Sequence, residues 1–325
     1  MALAEFEIIH RYFRDLGATR ADVACGVGDD GAVLRVPPDR ELVVSLDTLV
    51  EAVHFPAATP AEAVGYKALA VGLSDLAAMG AEPAWLTLGL TLPRPDASWL
   101  EAFSAGLGGL AARHGLALVG GDLTRGPLAV TVQVHGLVPL GGAVLRRGAR
   151  PGDGIYVTGE LGAAAAAVAH LRGELSLPPD LAAAARRRLE RPRPRVAEAL
   201  ALRGLVRAAI DVSDGLLADL GHILEASGVG ARLDLQALPL HEVLQVLAPR
   251  LGFETCQRLA LTGGDDYELC FVAPVQDEAE IRARLAALRC PVARVGVIEA
   301  RPGLRCRQAD GRFLSCPGVG YEHFR

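Results

Sequence analysis

Val64-Gly-Tyr-Lys-Ala-Leu-Ala-Val-Gly-Leu-Ser-Asp75-Leu-Ala-Ala-Met-Gly80 is the stretch on which the reading of this chain turns. It predicts a helix: it is rich in Ala and Leu, has no proline inside, and closes on Gly80 with Pro83 just beyond. Asp75 is out of place in it. Its neighbours one turn away are Val71, Gly72, Ala78 and Met79, and none offers a positive charge. A bare carboxylate on an apolar helical face is costly unless something cationic meets it. The alternative is a helix rotated so that Asp75 reaches water. Other aspartates in similar company weigh against that.

Towards the N-terminus, residues 3–16 predict a short amphipathic helix with Phe6, Ile9, Phe13 and Leu16 along one side. Gly26-Val-Gly-Asp-Asp-Gly31 frames two acids with three glycines and predicts a tight loop presenting Asp29 and Asp30, although ordinary turns share that composition. Leu42-Val-Val-Ser-Leu46 reads as a buried strand with Asp47 and Thr48 at its end, followed by His54, Phe55 and a helix start at Pro60. Towards the C-terminus come a strand over 85–92, a helix over 96–114, and a strand over 116–119. The last of these runs into Gly120-Gly-Asp122-Leu-Thr-Arg-Gly126, and a long alternating strand over 128–138 follows. This alternation of strands and helices predicts an α+β layer structure.

A Gly- and Arg-rich crossing containing Arg146 marks the boundary, giving domains over 1–142 and 143–325. After a strand at 155–158, Gly159-Glu-Leu-Gly162 opens a helix over 162–172, either with amides facing an anion or as a plain tight turn. Helices over 180–190 and 195–204 are split by Pro192 and Pro194. A short strand at 208–210 leads into Asp211-Val-Ser213-Asp214-Gly215 and a helix over 215–227. Ser213 or Asp214 can cap that helix, which leaves Asp211 unexplained. Leu261-Thr-Gly-Gly-Asp265-Asp-Tyr-Glu268 precedes a strand at 269–272, then a helix over 277–289 and a strand over 292–298. The aromatic tail Gly320-Tyr321-Glu-His-Phe-Arg325 reads first as an end that packs down.

Composition narrows the function. A chain of 325 residues has room for two cores, and no apolar run approaches membrane-spanning length. The N-terminus lacks a basic segment followed by an apolar one, so no signal peptide is expected. Cysteines at 25, 256, 270, 290, 306 and 316 form no Cys-x-x-Cys pair, which predicts neither a zinc site nor a disulfide framework and points to a reducing cytoplasm. A net charge of −5 suggests no nucleic-acid surface. Lys67 is the only lysine, and no Gly-rich loop precedes it, which excludes a P-loop enzyme.

Asp30, Asp47, Asp122, Asp211, Asp214 and Asp265 stand at strand ends or beside glycine, and Asp75 stands in a helix. Any one suits a turn; together they read as a converging acidic pocket. Clustered carboxylates repel unless protonated or sharing cations, and oxygen-only ligands suit Mg²⁺. Magnesium held by carboxylates serves phosphates, so the residues point to a two-domain, Mg-dependent enzyme of phosphoryl transfer.

Gly28-Asp-Asp-Gly31, Ser45-Leu-Asp-Thr48, Ser74-Asp-Leu76, Gly120-Gly-Asp-Leu-Thr-Arg-Gly126, Asp211-Val-Ser-Asp-Gly215 and Gly263-Gly-Asp-Asp-Tyr-Glu-Leu269 together resemble the thiamine-monophosphate kinase family, within the aminoimidazole ribonucleotide synthetase superfamily. Each piece is weak and the ordered set, from about residue 5 to 324, is specific. The resemblance implies a ferredoxin-like N-terminal α/β layer domain and a C-terminal α+β domain of the superfamily's type. It implies conversion of ATP and thiamine monophosphate to ADP and thiamine diphosphate, with several Mg²⁺ ions and a homodimer pairing through the N-terminal domains. It implies metal ligands at Asp30, Asp47, Asp75, Asp122, Asp211 and Asp214, with Ser45 or the Leu46 carbonyl beside Asp47. ATP would meet Gly121, Asp122, Arg146 and Ser213, and the thiamine phosphate His54, Asp265 and Tyr321. Two departures stand out: Asp265 replaces a glutamate common in the family, and Ser104 stands where a tyrosine often faces the nucleotide. The acceptor is already an anion, so no catalytic base is expected.

Rivals fit less well. A selenophosphate synthetase would need a lysine soon after Cys25, a hydrogenase-maturation relative a cysteine tail, and a ribonucleotide synthetase a Gly-Val-Gly-Thr-Lys stretch where Leu49-Val-Glu-Ala-Val-His54 stands. A non-catalytic nucleotide- or metal-binding protein is the rival from another class.

Overall fold

The expected central helix forms over Ala61–Ala78, and every position from Ala63 to Ala78 is buried except Asp75, which is half-buried. A helix apolar on all sides belongs inside, and this one is enclosed accordingly. The computed structural model describes residues 4–315 and divides into two compact units: Met1–Leu76 with Ala81–Ala143, and Ala77–Gly80 with Val144–Arg325.

In the first unit, α1 (Glu5–Ile8) runs on as a short π-helical turn to Phe13. Then come β1 (Val23–Cys25), β2 (Val33–Leu34), β3 (Arg40–Val50), α2 (Ala61–Ala78), β4 (Glu82–Leu92), α3 (Ala97–Arg113), β5 (Ala117–Arg125) and β6 (Ala129–Pro139). The main sheet has the order β3-β6-β4-β5; β4 and β5 are parallel, joined through α3, and the other pairs are antiparallel. Helix α2 presses closely on the sheet. A Cβ on Gly72 would stand 3.1 Å from the Val134 methyls, and one on Gly106 of α3 would strike the Glu62 carbonyl at 2.0 Å. Only glycine permits such approaches. Strand β3 alternates, with Val43 and Leu49 buried and Leu42, Val44 and Leu46 on the exposed face.

Two strands run past the ends that the sequence suggests. Asp47 lies inside β3, because Thr48, Leu49 and Val50 continue the ladder against Thr131, Val130 and Ala129. Asp122 lies inside β5, opposite Gly89, because parallel pairing with β4 keeps Gly120 and Gly121 extended where glycine pairs suggest a turn. Pairing partners distant in sequence decide strand length, and local composition does not show them.

The second unit contains β7 (Gly154–Thr158), α4 (Ala163–Leu171), α5 (Pro179–Glu190), α6 (Val196–Ala201), β8 (Ala208–Asp211), α7 (Leu216–Ser227), β9 (Gly230–Asp234), α8 (Glu242–Leu251), α9 (Phe253–Thr262), β10 (Leu269–Ala273), α10 (Glu278–Ala287), β11 (Val292–Glu299), β12 (Gly303–Arg307) and β13 (Phe313–Ser315). Among the described residues the sheet order is β13-β12-β9-β11-β7-β10-β8, antiparallel except between β9 and β12. Ile155, Val157, Ile210 and Val272 pack with Leu216 and Leu220 of α7, Leu244 of α8 and Ala260 of α9 in one core. Each unit is thus the expected mixture of sheet and helix.

A buried ionic cluster fixes one end of this sheet. Glu268 accepts from Arg195 Nε and Nη2 at 2.6 and 2.7 Å, from Thr158 Oγ1 at 2.8 Å, and from Arg188 Nη2 at 3.1 Å. Arg195 also donates to Glu198 at 3.1 Å, and all three of these partners, Arg195, Glu198 and Glu268, are almost fully buried. Cys306 is disulfide-bonded, whereas the cysteine spacing predicts no disulfide framework. Among the described residues no helix is long and apolar enough to cross a membrane.

Arg195→Met should strand the Glu268 carboxylate in the interior and lower stability by about 3–5 kcal/mol in urea unfolding. The double variant Arg195→Met, Glu268→Leu should recover most of that loss. A simple sum of two single-variant losses would contradict the coupling.

Candidate functional site

The first unit brings Ser45, Asp47 and Asp75 together. Ser45 and Asp47 are two apart on β3 and share the face that α2 covers, while Asp75 comes from α2 itself. The Ser45 hydroxyl donates to Asp75 Oδ2. Asp47 Oδ2 is buried and accepts no hydrogen bond within the protein. Burial first, and then the negative Asp75 beside it, push the Asp47 carboxyl up to about 7. Asp75 is half-buried, and it meets a hydroxyl and a second carboxyl.

An orphaned carboxylate oxygen, a second carboxylate and a hydroxyl make an all-oxygen donor set, which fits a hard divalent cation such as Mg²⁺. Among the described residues no three His, Cys, Asp or Glu side chains gather closely enough to enclose an ion by themselves. Asp30 is exposed in the β1–β2 loop, its amide donating to Asp29 Oδ1 at 2.9 Å. Asp122 is exposed on β5. Next to it, a Cβ on Gly121 would lie 2.0 Å from the Leu88 carbonyl oxygen, so that glycine has a packing reason of its own. Leu46 points its side chain to the opposite, exposed face from Asp47.

His54 sits in the turn after β3. Its Nδ1 accepts from the Val50 amide at 3.0 Å, which leaves the proton of the neutral ring on Nε2. Lys67, almost fully buried on α2, donates to the His54 carbonyl at 3.3 Å. The sequence marks Lys67 only by its uniqueness; its hold on the His54 turn is visible in three dimensions alone.

In the second unit, two motifs lie side by side. The β8–β10 pairing, Asp211 opposite Leu269, continues irregularly beyond the strand ends. Val212 donates to the Glu268 carbonyl at 2.8 Å, Tyr267 to the Val212 carbonyl at 2.8 Å, and Asp265 to the Ser213 carbonyl at 2.9 Å. Asp265 and Tyr267 hold φ of 66° and 49°, sparsely populated conformations for side-chain-bearing residues and frequent at functional sites. Burial alternates along the segment: Asp265 and Tyr267 are half-buried, Asp266 and Glu268 buried. Asp211 is buried, while Ser213 and Asp214 are half-buried. Arg146 is exposed. Tyr321 lies outside the described residues.

Neither Ser213 nor Asp214 caps α7. The N-cap is Gly215, with no side-chain cap, and the 213–215 amides are taken by Asp219. The Gly162 amide at the start of α4 is likewise taken, by Asp266 at 2.9 and 3.0 Å. Asp219 carries a weaker form of the Asp75 signal, an acid beside Leu216, Leu220 and Ile223 but with His222 one turn away, and that signal could have found it.

Residues 28–138 match the AIR synthase related protein, N-terminal domain, and residues 150–308 its C-terminal domain, the two-domain class to which this fold corresponds. Thiamine-monophosphate kinase of Escherichia coli (strain K12) is 47% identical over 327 residues, spanning 100% of this chain and 99% of its own. The structure of thiamine-monophosphate kinase from Stenotrophomonas maltophilia K279a is 43% identical, with a TM-score of 0.84 over 96% of this chain and 98% of that one. AaThiL complexed with AMPPCP and TMP is 30% identical, with a TM-score of 0.78 over 92% of each chain. The chain belongs to the thiamine-monophosphate kinase family.

With the Asp47 carboxyl lifted from 3.8 to about 7, its charge destabilises the metal-free fold above pH 4, increasingly up to pH 7, and costs nothing below pH 4. Without divalent ions at pH 8, Asp75→Asn should therefore unfold at or above the parent's temperature, and the difference should vanish by pH 4. Thermal scans across that range check it; a variant less stable at pH 8 would contradict the repulsion.

Proposed function

We propose that this protein transfers the terminal phosphoryl group of ATP to the phosphate of thiamine monophosphate, producing thiamine diphosphate and ADP with Mg²⁺. The observation that carries this reading is the AaThiL structure, which holds AMPPCP and TMP in a chain that aligns with this one over 92% of its length. In the first unit Asp30, Ser45, Asp47, Asp75 and Asp122, with the Leu46 carbonyl, would hold Mg²⁺; in the second, Asp211 and Asp214 would. Bound Mg²⁺ would neutralise charge between two polyanions that otherwise repel.

The protein's own groups orient. Gly121, Asp122, Arg146 and Ser213 would bind ATP, Arg146 as an exposed guanidinium suited to phosphate oxygens. His54 would offer its Nε2 proton to the acceptor phosphate, with Lys67 keeping its turn in place. Asp265, and Tyr321 through its ring, would suit the cationic thiazolium. The acceptor needs no deprotonation, so transfer would be direct and in line, with no side-chain base.

A homodimer is part of the proposal. Leu42, Val44 and Leu46 of β3 are 45%, 47% and 57% exposed on one sheet face, an apolar stripe that a second copy would cover. The free thiols of Cys25, Cys256, Cys270 and Cys290 suit the cytoplasm.

Purified protein with ATP and Mg²⁺ should phosphorylate thiamine monophosphate, lose activity in EDTA and regain it on adding Mg²⁺. Unphosphorylated thiamine should react at least about 100-fold more slowly, because its hydroxyl lacks the charge and the base that transfer would need. Comparable rates on both acceptors would end the direct-transfer reading.

Val44→Asp should convert a dimer to a monomer in light scattering, with the unit's fold unchanged by circular dichroism. A parent protein that is already monomeric would remove the dimer from the proposal.

A further inference from the structure

Asp219 is almost fully buried, and one of its oxygens, Oδ2, accepts three successive backbone N–H groups: Ser213 at 3.0 Å, Asp214 at 3.1 Å and Gly215 at 3.1 Å. Consecutive amides turned towards one point make a concave anion cradle. Here the carboxyl that fills it belongs to the chain itself; burial, then the nearby Asp214, push it up to about 7 against the pull of the three amides. A carboxylate that served the helix would bond amides of its first turn, beyond Gly215. Asp219 instead reaches back, from the first turn of α7, to amides that precede the helix. Its bonds serve the loop.

That loop carries a great deal. Asp211, Ser213 and Asp214 lie on it, and the Ser213 and Val212 carbonyls accept from Asp265 and Tyr267. A Cβ on Gly264 would stand 2.2 Å from the Ser213 carbonyl oxygen, so the second motif sits directly on the first. The backbone at 213–215 thus sets where several candidate site residues stand.

We infer that Asp219 is a positioning residue, an internal carboxylate that fills the 213–215 amide cradle and so fixes the loop presenting Ser213 and Asp214 to nucleotide and metal. The inference rests on the proposed roles of those two residues. It has a chemical consequence: these amides are already engaged and do not bind a phosphate, so Ser213 and Asp214 must act through their side chains.

The test, made at pH 8 where the carboxyl is charged, is Asp219→Asn, which keeps the shape and removes the charge. Hydrogen exchange at amides 213–215 should quicken at least about tenfold, while amides 220–227 of α7 stay within about twofold, since charge-assisted bonds are roughly twice as strong as neutral ones. Affinity for AMPPCP in Mg²⁺, measured by calorimetry, should fall about tenfold, and the melting temperature should move by only a few degrees. Asp219→Ala should fall further, and added formate should restore part of its AMPPCP affinity. Faster exchange with unchanged AMPPCP affinity would overturn the positioning role, as would a loss of protection throughout α7 or a failure of formate to restore binding. If the unaltered protein does not bind AMPPCP, the nucleotide reading of Ser213 falls, and this inference with it.

Discussion

A carboxylate taken out of water must be met by a proton, by donors or by a cation, and the buried acids of this chain are met in different ways. Glu268 has a guanidinium held by two short bonds and a hydroxyl besides. Asp219 and Asp266 have backbone amides. Asp47 has an oxygen with none of these, and Asp75 beside it raises its cost. The amides do not fully offset burial, which pushes the Asp219 carboxyl up to about 7 and that of Asp266 upward as well, but in these first three arrangements the buried oxygens find hydrogen-bond donors within the protein. In the fourth a buried oxygen is left without a donor, and only a proton or a cation would complete it, which is what marks Asp47 as a candidate ligand.

What makes the Asp47–Asp75 pair possible is the fit of α2 against the sheet. Gly72 lies one turn before Asp75, and a Cβ there would stand 3.1 Å from Val134 and 3.6 Å from Asp47 Oδ2. A larger residue would push the helix away and part the two carboxyls. The apolar residues that surround Asp75 on α2 supply the burial that lifts the Asp47 carboxyl. Packing and electrostatics are here one arrangement: the tight interior that stabilises the unit also desolvates its acids.

The central helix and most strands were legible because their apolar spacing is regular and few polar residues interrupt it. Asp75 was legible for the same reason, as the exception. Strand β9, Gly230–Asp234, is short and mixes Arg and Asp with Ala and Leu, and α8 carries Pro249 within it, so neither announces itself locally. The positions of Asp47 and Asp122 within strands depended on partners about 80 and 30 residues away. Asp219 is hidden in the sequence because Ser213 and Asp214 give a sufficient local account of the helix start, and the structure replaces that account. The roles of Asp266 and Glu268 needed the third dimension, since alternation within Asp265-Asp-Tyr-Glu268 becomes meaningful only once its inner face is known.

A protein can hold phosphate by itself with a helix N-terminus, a nest of backbone amides or a lysine. In this chain the Gly162 amide before α4 is occupied by Asp266, the 213–215 nest by Asp219, and Lys67 by the His54 carbonyl. Each occupant is internal, and the first two are carboxyls whose oxygens already take these amides, which leaves those places filled. With these three places filled, the proposed polyphosphate chemistry would draw on arginine and on divalent cations held by carboxylates. On the proposed reading, the abundance of aspartate in the motifs and the internal filling of these amide cradles are two sides of one solution: charge would be brought to the phosphates with the metal, and the backbone kept for positioning the ligands.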